Sequence, residues 1–268
     1  MSLEKRRIQQ FQKKIFKWWK DNKRDFPWRK TTNPYHILVS EVMLQQTQAG
    51  TRTIKKYLAF IKKYPTLESL AKASKAEVLK LWSGLGYNRR AIWLQEAANQ
   101  LVEMESFPKI PEELQKLKGI GPYTSRAILI FAFNEDLPTV DTNIRRILIA
   151  EGFAEESTAK KELFEIAEQL LPRGRSRDWH NALMDYGSIV LTAAKTGIKP
   201  TSRQTRFKGS SRDFRGRILR FLINHSESDQ ETISKECKIP KKKITQILES
   251  LLSDELIQKQ GKTYSLPK

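Results

Sequence analysis

Through the first 200 residues, apolar side chains recur at helical spacing, cut repeatedly by glycine and proline, and no run alternates as a strand would. That pattern restricts this part of the chain to an all-α body. Ile8, Phe11, Ile15, Trp18 and Trp19 form one stripe over residues 5–20, with Lys and Arg opposite it. "DFPWRKTTNPY" reads as a loop, because Pro27 and Pro34 break helices. Helices are predicted over about 36–47, 50–63, 67–73, 75–82, 88–104, 122–133, 143–151, 158–171 and 177–195. Pro65, "SGLG" and "FPKIP" separate them.

Residues 196–212 are polar, basic and poor in helix formers, as in a linker. Beyond them "DFRGRILRFLINHS", "DQETISKEC" and "PKKKITQILESLLSDE" predict three short helices, and "LIQKQGKTYSLP" a small hairpin about Gly261. Three helices and a two-stranded wing over 213–268 are the pattern of a winged helix-turn-helix; a generic helical cap is the alternative. "IPKKKITQILESL" is then either a recognition helix with Lys241, Lys242 and Lys243 near phosphates or a solvated basic face.

Charge narrows the partners. Forty-nine Lys and Arg stand against 30 Asp and Glu, a formal charge of +19 spread along the chain. A polyanion explains this excess better than solvation does, and nucleic acid comes before an anionic membrane surface. Cys237 is the single cysteine and is expected to be a small buried apolar residue, so disulfide scaffolds and Cys-ligated clusters are excluded from this sequence. His36, His180 and His225 are too scattered for a metal site. No apolar run approaches the ~18 residues of a membrane span, "AILIFAF" being the longest candidate. The N-terminus lacks the apolar segment of a signal peptide, so a cytoplasmic location with no membrane partner is expected.

Three sites could carry chemistry. In "LKGIGPYTSRA" (117–127), Gly119 and Gly121 separate two helical patterns. They either close an ordinary tight turn or bare consecutive N–H groups for a phosphate oxygen. Asp141 in "PTVDTNIRR" precedes a helix and is either an N-cap or a catalytic carboxylate. Glu41 in "LVSEVMLQQT" lies among apolar neighbours; it is either an exposed face position or a carboxylate that needs a role to justify its burial. Two carboxylates in different apolar settings can have separated pKa values, one acting as acid and one staying ionised.

"PWRKTTNPYHILVSEVMLQQTQAGT", "LWSGLGYNRRAIWL", "LKGIGPYTSRAIL", "TVDTNIRRIL" and "NALMDYGS" follow in the order expected of helix-hairpin-helix DNA glycosylases. Over about residues 8–195 the chain most resembles the MutY-type adenine DNA glycosylases. The resemblance implies a two-lobed core over 1–195, a six-helix lobe of about 30–135 and a second lobe of 1–29 plus 136–195, with DNA bound between them. Asp141 would stabilise or trap the cationic sugar, with Asn143 orienting it. Glu41 would protonate the departing adenine at N7. Gln45, Gln46 and Tyr87 match residues that wedge into the base stack and probe the opposite base. Trp28, Arg29 and Asp185 match the base pocket. Lys118, Gly119, Gly121 and Thr124 would meet the DNA backbone, with a possible monovalent cation on the hairpin carbonyls. Tyr123 stands where bifunctional relatives carry a lysine that forms a Schiff base; tyrosine cannot, which implies base release without strand cleavage. The expected partner is duplex DNA with a mispaired or damaged base, bound by a monomer.

The chain departs from that family twice. The four cysteines of an iron–sulfur cluster are missing, so none is expected. Lys195, Lys199, Arg203 and Arg206 are expected to supply part of the phosphate contact of the loop it would organise. A winged-helix pattern stands where the family carries a domain that reads 8-oxoguanine. Adenine opposite guanine or 8-oxoguanine is the first reading of the substrate. A G-mismatch thymine or uracil glycosylase is the second, and a non-catalytic DNA-binding protein the third.

Overall fold

A computed structural model describes residues 4–200 and 206–267. The helices are α1 (Lys5–Asn22), α2 (Pro34–Leu44), α3 (Thr51–Lys63), α4 (Leu67–Ala71), α5 (Lys75–Trp82), α6 (Arg89–Val102), α7 (Pro111–Leu114), α8 (Pro122–Phe133), α9 (Thr142–Ala150), α10 (Lys160–Gln169), α11 (Ser176–Ile189), α12 (Ala193–Thr196), α13 (Ser211–Asn224), α14 (Gln230–Glu236) and α15 (Lys241–Ser253). Pro27–Arg29 is a single 3-10 turn. Among the described residues, strands occur only at the C-terminal end: β1 (Glu227–Asp229), β2 (Gln258–Gln260) and β3 (Thr263–Ser265).

The chain divides into two compact units. One comprises residues 1–38, 108–116 and 120–203. Its core takes the apolar stripe of α1, through Phe11 and Ile15, against Ile144, Ile147 and Leu148 of α9, Leu163 and Ile166 of α10, and Trp179 and Leu183 of α11. Phe11 meets Trp179 edge-on at 5.6 Å, a favourable arrangement for two ring quadrupoles. His180 sits in the same helix as a satisfied core residue: burial drives its pKa down to about 4, and Nδ1 lies 2.8 Å from the Ser176 carbonyl.

The other unit comprises residues 39–107, 117–119 and 204–268. Phe60, Leu70, Val78, Trp82 and Leu94 form fully buried positions of α3–α6. Ile218, Ile233, Ile244, Leu248 and Leu251 bury the inner faces of α13–α15. The strands form an antiparallel sheet in the order β1-β3-β2, with Tyr264 opposite both Ser228 and Lys259. Three polar contacts tie this C-terminal segment to the α5–α6 region. Lys75 pairs with Glu255, Arg89 with Asp254 at 3.0 Å, and Arg212 donates to the Tyr87 hydroxyl.

This division differs from the expected lobes, since α8 groups with the α1–α9–α11 unit and residues 204–268 with residues 39–107. Several elements also differ. The helix expected over 36–47 stops at Leu44, because Gln46 turns to φ 54° and Arg90 takes the terminal carbonyls of Val42 and Met43. The helix expected over 177–195 breaks after Ile189 and restarts at Ala193 under a Thr192 cap. α13 begins inside the expected linker, with Ser210 accepting from the Asp213 N–H. The expected hairpin gains a third strand, β1. Residues 201–205, including Arg203, lie outside the described residues.

Candidate active site and nucleic-acid interface

Asp141 caps α9. Its Oδ1 accepts from the Ile144 N–H at 2.7 Å, and its Oδ2 from the Asn143 amide at 3.2 Å. Asn143 is held in turn: its Oδ1 accepts from Arg146 at 2.6 Å, and Arg146 also donates to the Gly187 carbonyl at 2.9 Å. A Cβ on Gly187 would stand 3.0 Å from the Asn143 Cβ, so the glycine of "MDYGS" lets α11 approach this residue. Crowding by protein atoms lifts the Asp141 pKa above the ordinary 3.8, against the pull of the Ile144 and Asn143 hydrogen bonds and the Arg146 charge. The N-cap and catalytic readings of Asp141 are therefore compatible: the cap bonds fix a carboxylate that is costly to ionise.

Asp185 is fully buried, and its oxygens are heavily engaged. Trp19 and the Arg24 N–H reach Oδ2 at 3.0 and 3.1 Å, Arg24 Nε reaches Oδ1, and Arg29 grips both oxygens at 2.7 and 3.0 Å. Burial alone would raise its pKa; the Arg29 and Arg24 bonds outweigh burial and hold it below the usual value. Asp185 thus orients Arg29, and little of its own acceptor capacity is left for a base. Trp28 is buried and stacks on Phe26 at 4.8 Å with a 13° tilt. Both Arg24 and Arg29 lie over the Phe26 ring. Tyr123 is half-buried at the second position of α8, after Pro122, and Thr124 beside it is buried.

Glu41 is 8% exposed on α2, in a segment where Val39, Val42 and Met43 are also buried. That removes the exposed-face alternative. In the same unit, Gln45, Gln46 and Tyr87 line one cavity of about 360 Å³ together with Arg90, Trp93 and Arg212. Gln46 and Tyr87 both adopt left-handed backbone, at φ 54° and 47°, rare for residues with side chains. Gly119, at φ 79°, is required by sterics: a Cβ there would lie 2.8 Å from the Trp93 ring. Its carbonyl accepts from the Gln45 amide at 3.0 Å. Gly121 has ordinary negative φ, and a Cβ there would meet nothing within 4 Å, so the protein's own packing does not demand glycine. Lys118 pairs with Glu96 at 3.3 Å. Lys241, Lys242 and Lys243 are exposed on the first turn of α15.

Arg90 was not singled out from sequence. It is buried, and its guanidinium donates to the carbonyls of Val42, Met43, Gln45, Gly86 and Tyr87 and to the Thr47 hydroxyl. One side chain therefore holds both loops that carry Gln45, Gln46 and Tyr87. Burial pushes its pKa down to about 10. The signal in sequence is only the second basic residue of "YNRRAIWL", which reads like any surface charge.

The helical body and the Gly119 turn ahead of α8 define a helix-hairpin-helix protein. The chain belongs to the HhH-GPD superfamily of base excision DNA repair proteins, whose description residues 39–173 match. It is 35% identical to the adenine DNA glycosylase of Mycolicibacterium smegmatis, over 78% of each chain. It is 40% identical to that of Homo sapiens over 68% of this chain. It is also 33% identical to the thymine/uracil-DNA glycosylase of Methanothermobacter thermautotrophicus, over 72% of this chain and 88% of that one. The chain spans only 36%, 43% and 36% of the length of the Arabidopsis thaliana, Rattus norvegicus and human adenine glycosylases. Among solved structures, a thermostable thymine-DNA glycosylase matches with TM-score 0.63 and 32% identity, over 72% of this chain and 94% of that one. An endonuclease III–DNA complex matches in fold, with TM-score 0.62 and 21% identity, over 74% of this chain and 91% of that one.

Relatives of the adenine type carry an iron–sulfur cluster in the resemblance described above. The donor set here does not fit one. Cys237 is the sole thiol of this chain, it is buried, and desolvation pushes its pKa up to about 11, away from a ligating thiolate.

Proposed function

We propose that the chain is a monofunctional DNA glycosylase that hydrolyses the N-glycosidic bond of a mispaired adenine, opposite guanine or 8-oxoguanine, acting as a monomer on duplex DNA. The observation that carries the reading is Asp141, fixed at the α9 N-terminus by Ile144 and Asn143 while its ionisation is opposed by burial. Such a carboxylate has little to offer stability and much to offer a cationic sugar. After the target nucleotide is flipped out of the stack, Glu41 protonates adenine N7, and the C1′–N9 bond breaks with its electrons passing to the base. Asp141 stabilises the resulting oxocarbenium charge. Water adds at C1′ and loses a proton, leaving an abasic sugar in an unbroken strand. Tyr123 has no amine to form an imine with that sugar, and this supports a hydrolytic rather than a lyase outcome.

The bare Gly121 backbone at the start of α8 suits a DNA phosphate, and the +19 charge suits the polyanion as a whole. A monovalent cation on the hairpin carbonyls would share the Gly119 oxygen with Gln45.

A second reading has a specific support. The thymine/uracil-DNA glycosylase relative is matched over most of its own length, and a thymine-DNA glycosylase is a close structural match. The two readings separate on duplexes holding A opposite G, A opposite 8-oxoguanine, T opposite G and U opposite G, treated with hot alkali after incubation. Alkali-dependent cutting at A supports the first reading. Cutting at T or U instead replaces it with the second, and tight binding with no cutting anywhere leaves a non-catalytic binder.

A further inference from the structure

Tyr87 is held at both ends. Its carbonyl accepts from the Arg90 guanidinium at 3.3 Å, which fixes a loop kept at φ 47°. Its hydroxyl accepts from Arg212 of α13, 125 residues downstream. The two guanidinium carbons lie 5.5 and 5.4 Å from the centre of its ring. Arg212 stands on a braced element. Three residues further along α13, Arg215 donates to Ser250 of α15 and pairs with Asp254 just past that helix. Asp254 also takes Arg89 at 3.0 Å, and Glu255 takes Lys75 of α5. The C-terminal segment is thus fastened to the first residue of α6, two positions after Tyr87.

The core of that segment does not need this contact, since Ile218, Ile233, Ile244, Leu248 and Leu251 fill it. The ring has another use. Tyr87 is half-buried and lines a cavity with Gln46, Trp93 and four arginines. An aromatic face among guanidinium groups, on a chain of +19 charge, is a surface on which nucleic-acid bases stack. A ring free to turn about its side-chain torsions loses that freedom when it enters a base stack. A ring already fixed in the bound orientation does not, and its entry is favoured accordingly.

We propose that Arg212 is a positioning residue, holding Tyr87 in the orientation in which its ring enters the DNA stack, so that α13 belongs to the working duplex interface. The inference rests on the reading of the chain as a glycosylase of duplex DNA. It adds to that reading a residue outside the family-matched residues 39–173 on which the reaction depends. It requires only the bond between Arg212 and Tyr87, whatever else the guanidinium holds.

The test is a double-mutant cycle in the full chain: wild type, Arg212→Met, Tyr87→Phe and both together. The probe is a duplex with 2-aminopurine beside the adenine of an A·G pair. Its fluorescence rises when the stack opens, and adenine release is followed in the same single-turnover samples. Each single variant is expected to slow both about threefold to tenfold at saturating protein, a coupling usual for two residues in contact, with half-saturation changed by less than about twofold. The double variant is expected to be no slower than Arg212→Met alone. Effects that multiply would show that Arg212 acts through another bond, and would overturn the inference. If Arg212→Met melts at a lower temperature, Tyr87→Phe still decides, because it removes only the hydroxyl; unchanged opening there would overturn the inference. So would a faster Arg212→Met, which would make the contact a latch, or a change confined to half-saturation, which would make Arg212 a phosphate contact. A wild type that binds without opening the stack also overturns it. Opening that depends on both residues with no adenine released removes the glycosylase reading and keeps this inference. Adenine released at equal rates by all four proteins removes this inference alone.

Discussion

Replacing Arg90 by methionine should disable the protein without touching a reacting group. Methionine keeps much of the buried stem and removes every donor. Five carbonyls and one hydroxyl then lose the guanidinium, those of Val42, Met43, Gln45, Gly86, Tyr87 and Thr47; the Gln45, Gly86 and Tyr87 carbonyls keep a second donor in the Thr47 hydroxyl, the Trp82 indole and the Arg90 backbone N–H. An unsatisfied buried acceptor costs about 1–3 kcal/mol, though several of these lie near solvent and will recover water. Removing the cation gives something back, because its pKa near 10 shows that burial already penalises the charge. The balance is a loss of roughly 2–4 kcal/mol, or about 5–15 °C in melting temperature for a chain of this size. The larger effect is on function. Gln46 and Tyr87 hold left-handed backbone that their own sequence disfavours, and Arg90 is what over-determines it. Released, the two loops no longer present those side chains together, and misplacement of about 1 Å can cost on the order of a hundredfold in rate. The assay is single-turnover base release alongside calorimetric melting. Arg90→Lys, with a compact head that cannot span both loops, should fall between. An Arg90→Met protein that melts within about 2 °C of wild type and reacts at the same rate would refute the clamp.

Other predictions follow from the same geometry. Asp141→Asn should abolish base release yet raise the melting temperature at neutral pH. The folded-state pKa of Asp141 is raised, so its contribution to stability is full only below the unfolded pKa and is lost as pH rises through the folded one; melting from pH 4 to 8 checks the sign. In the wild type, base release should fall with decreasing pH at a midpoint above 3.8, read from a pH–rate profile. Asp185→Ala strands Arg24 and Arg29 beside a buried void and should cost about 3–5 kcal/mol in denaturant unfolding. Gly119→Ala forces a Cβ against Trp93 at positive φ and should lower both melting temperature and DNA affinity; unchanged values for both would contradict the hairpin geometry.

Much of the helical body was readable because burial writes a 3.6-residue period into sequence, as in the Phe11–Ile15 stripe of α1. The Asp141 cap was readable for a related reason: an acid directly before an apolar-periodic run is a local signal. What escaped was set by distance in sequence. Arg90 and Arg89 are adjacent basic residues, and only packing decides that one is buried under two loops while the other stacks on Trp93. The end of α2 at Leu44 depends on that same arginine, so periodicity carried the helix three residues too far. β1 is three residues of "ESD" with no strand propensity, and it exists because β3 offers it an edge. Asp185 looked like a pocket residue, and only the structure shows Trp19, Arg24 and Arg29 converging on its oxygens.

The central claim is that Asp141 drives hydrolytic release of adenine. The direct measurement is chromatographic detection of free adenine from an A·G duplex under single-turnover conditions, with strand integrity and borohydride trapping followed in the same samples, for wild type and Asp141→Asn. The account predicts one adenine per duplex, an unbroken strand until alkali is added and no trapped adduct, and no adenine release from Asp141→Asn. Adenine release that survives in Asp141→Asn, or strand cleavage with a borohydride-trapped adduct in the wild type, would contradict it.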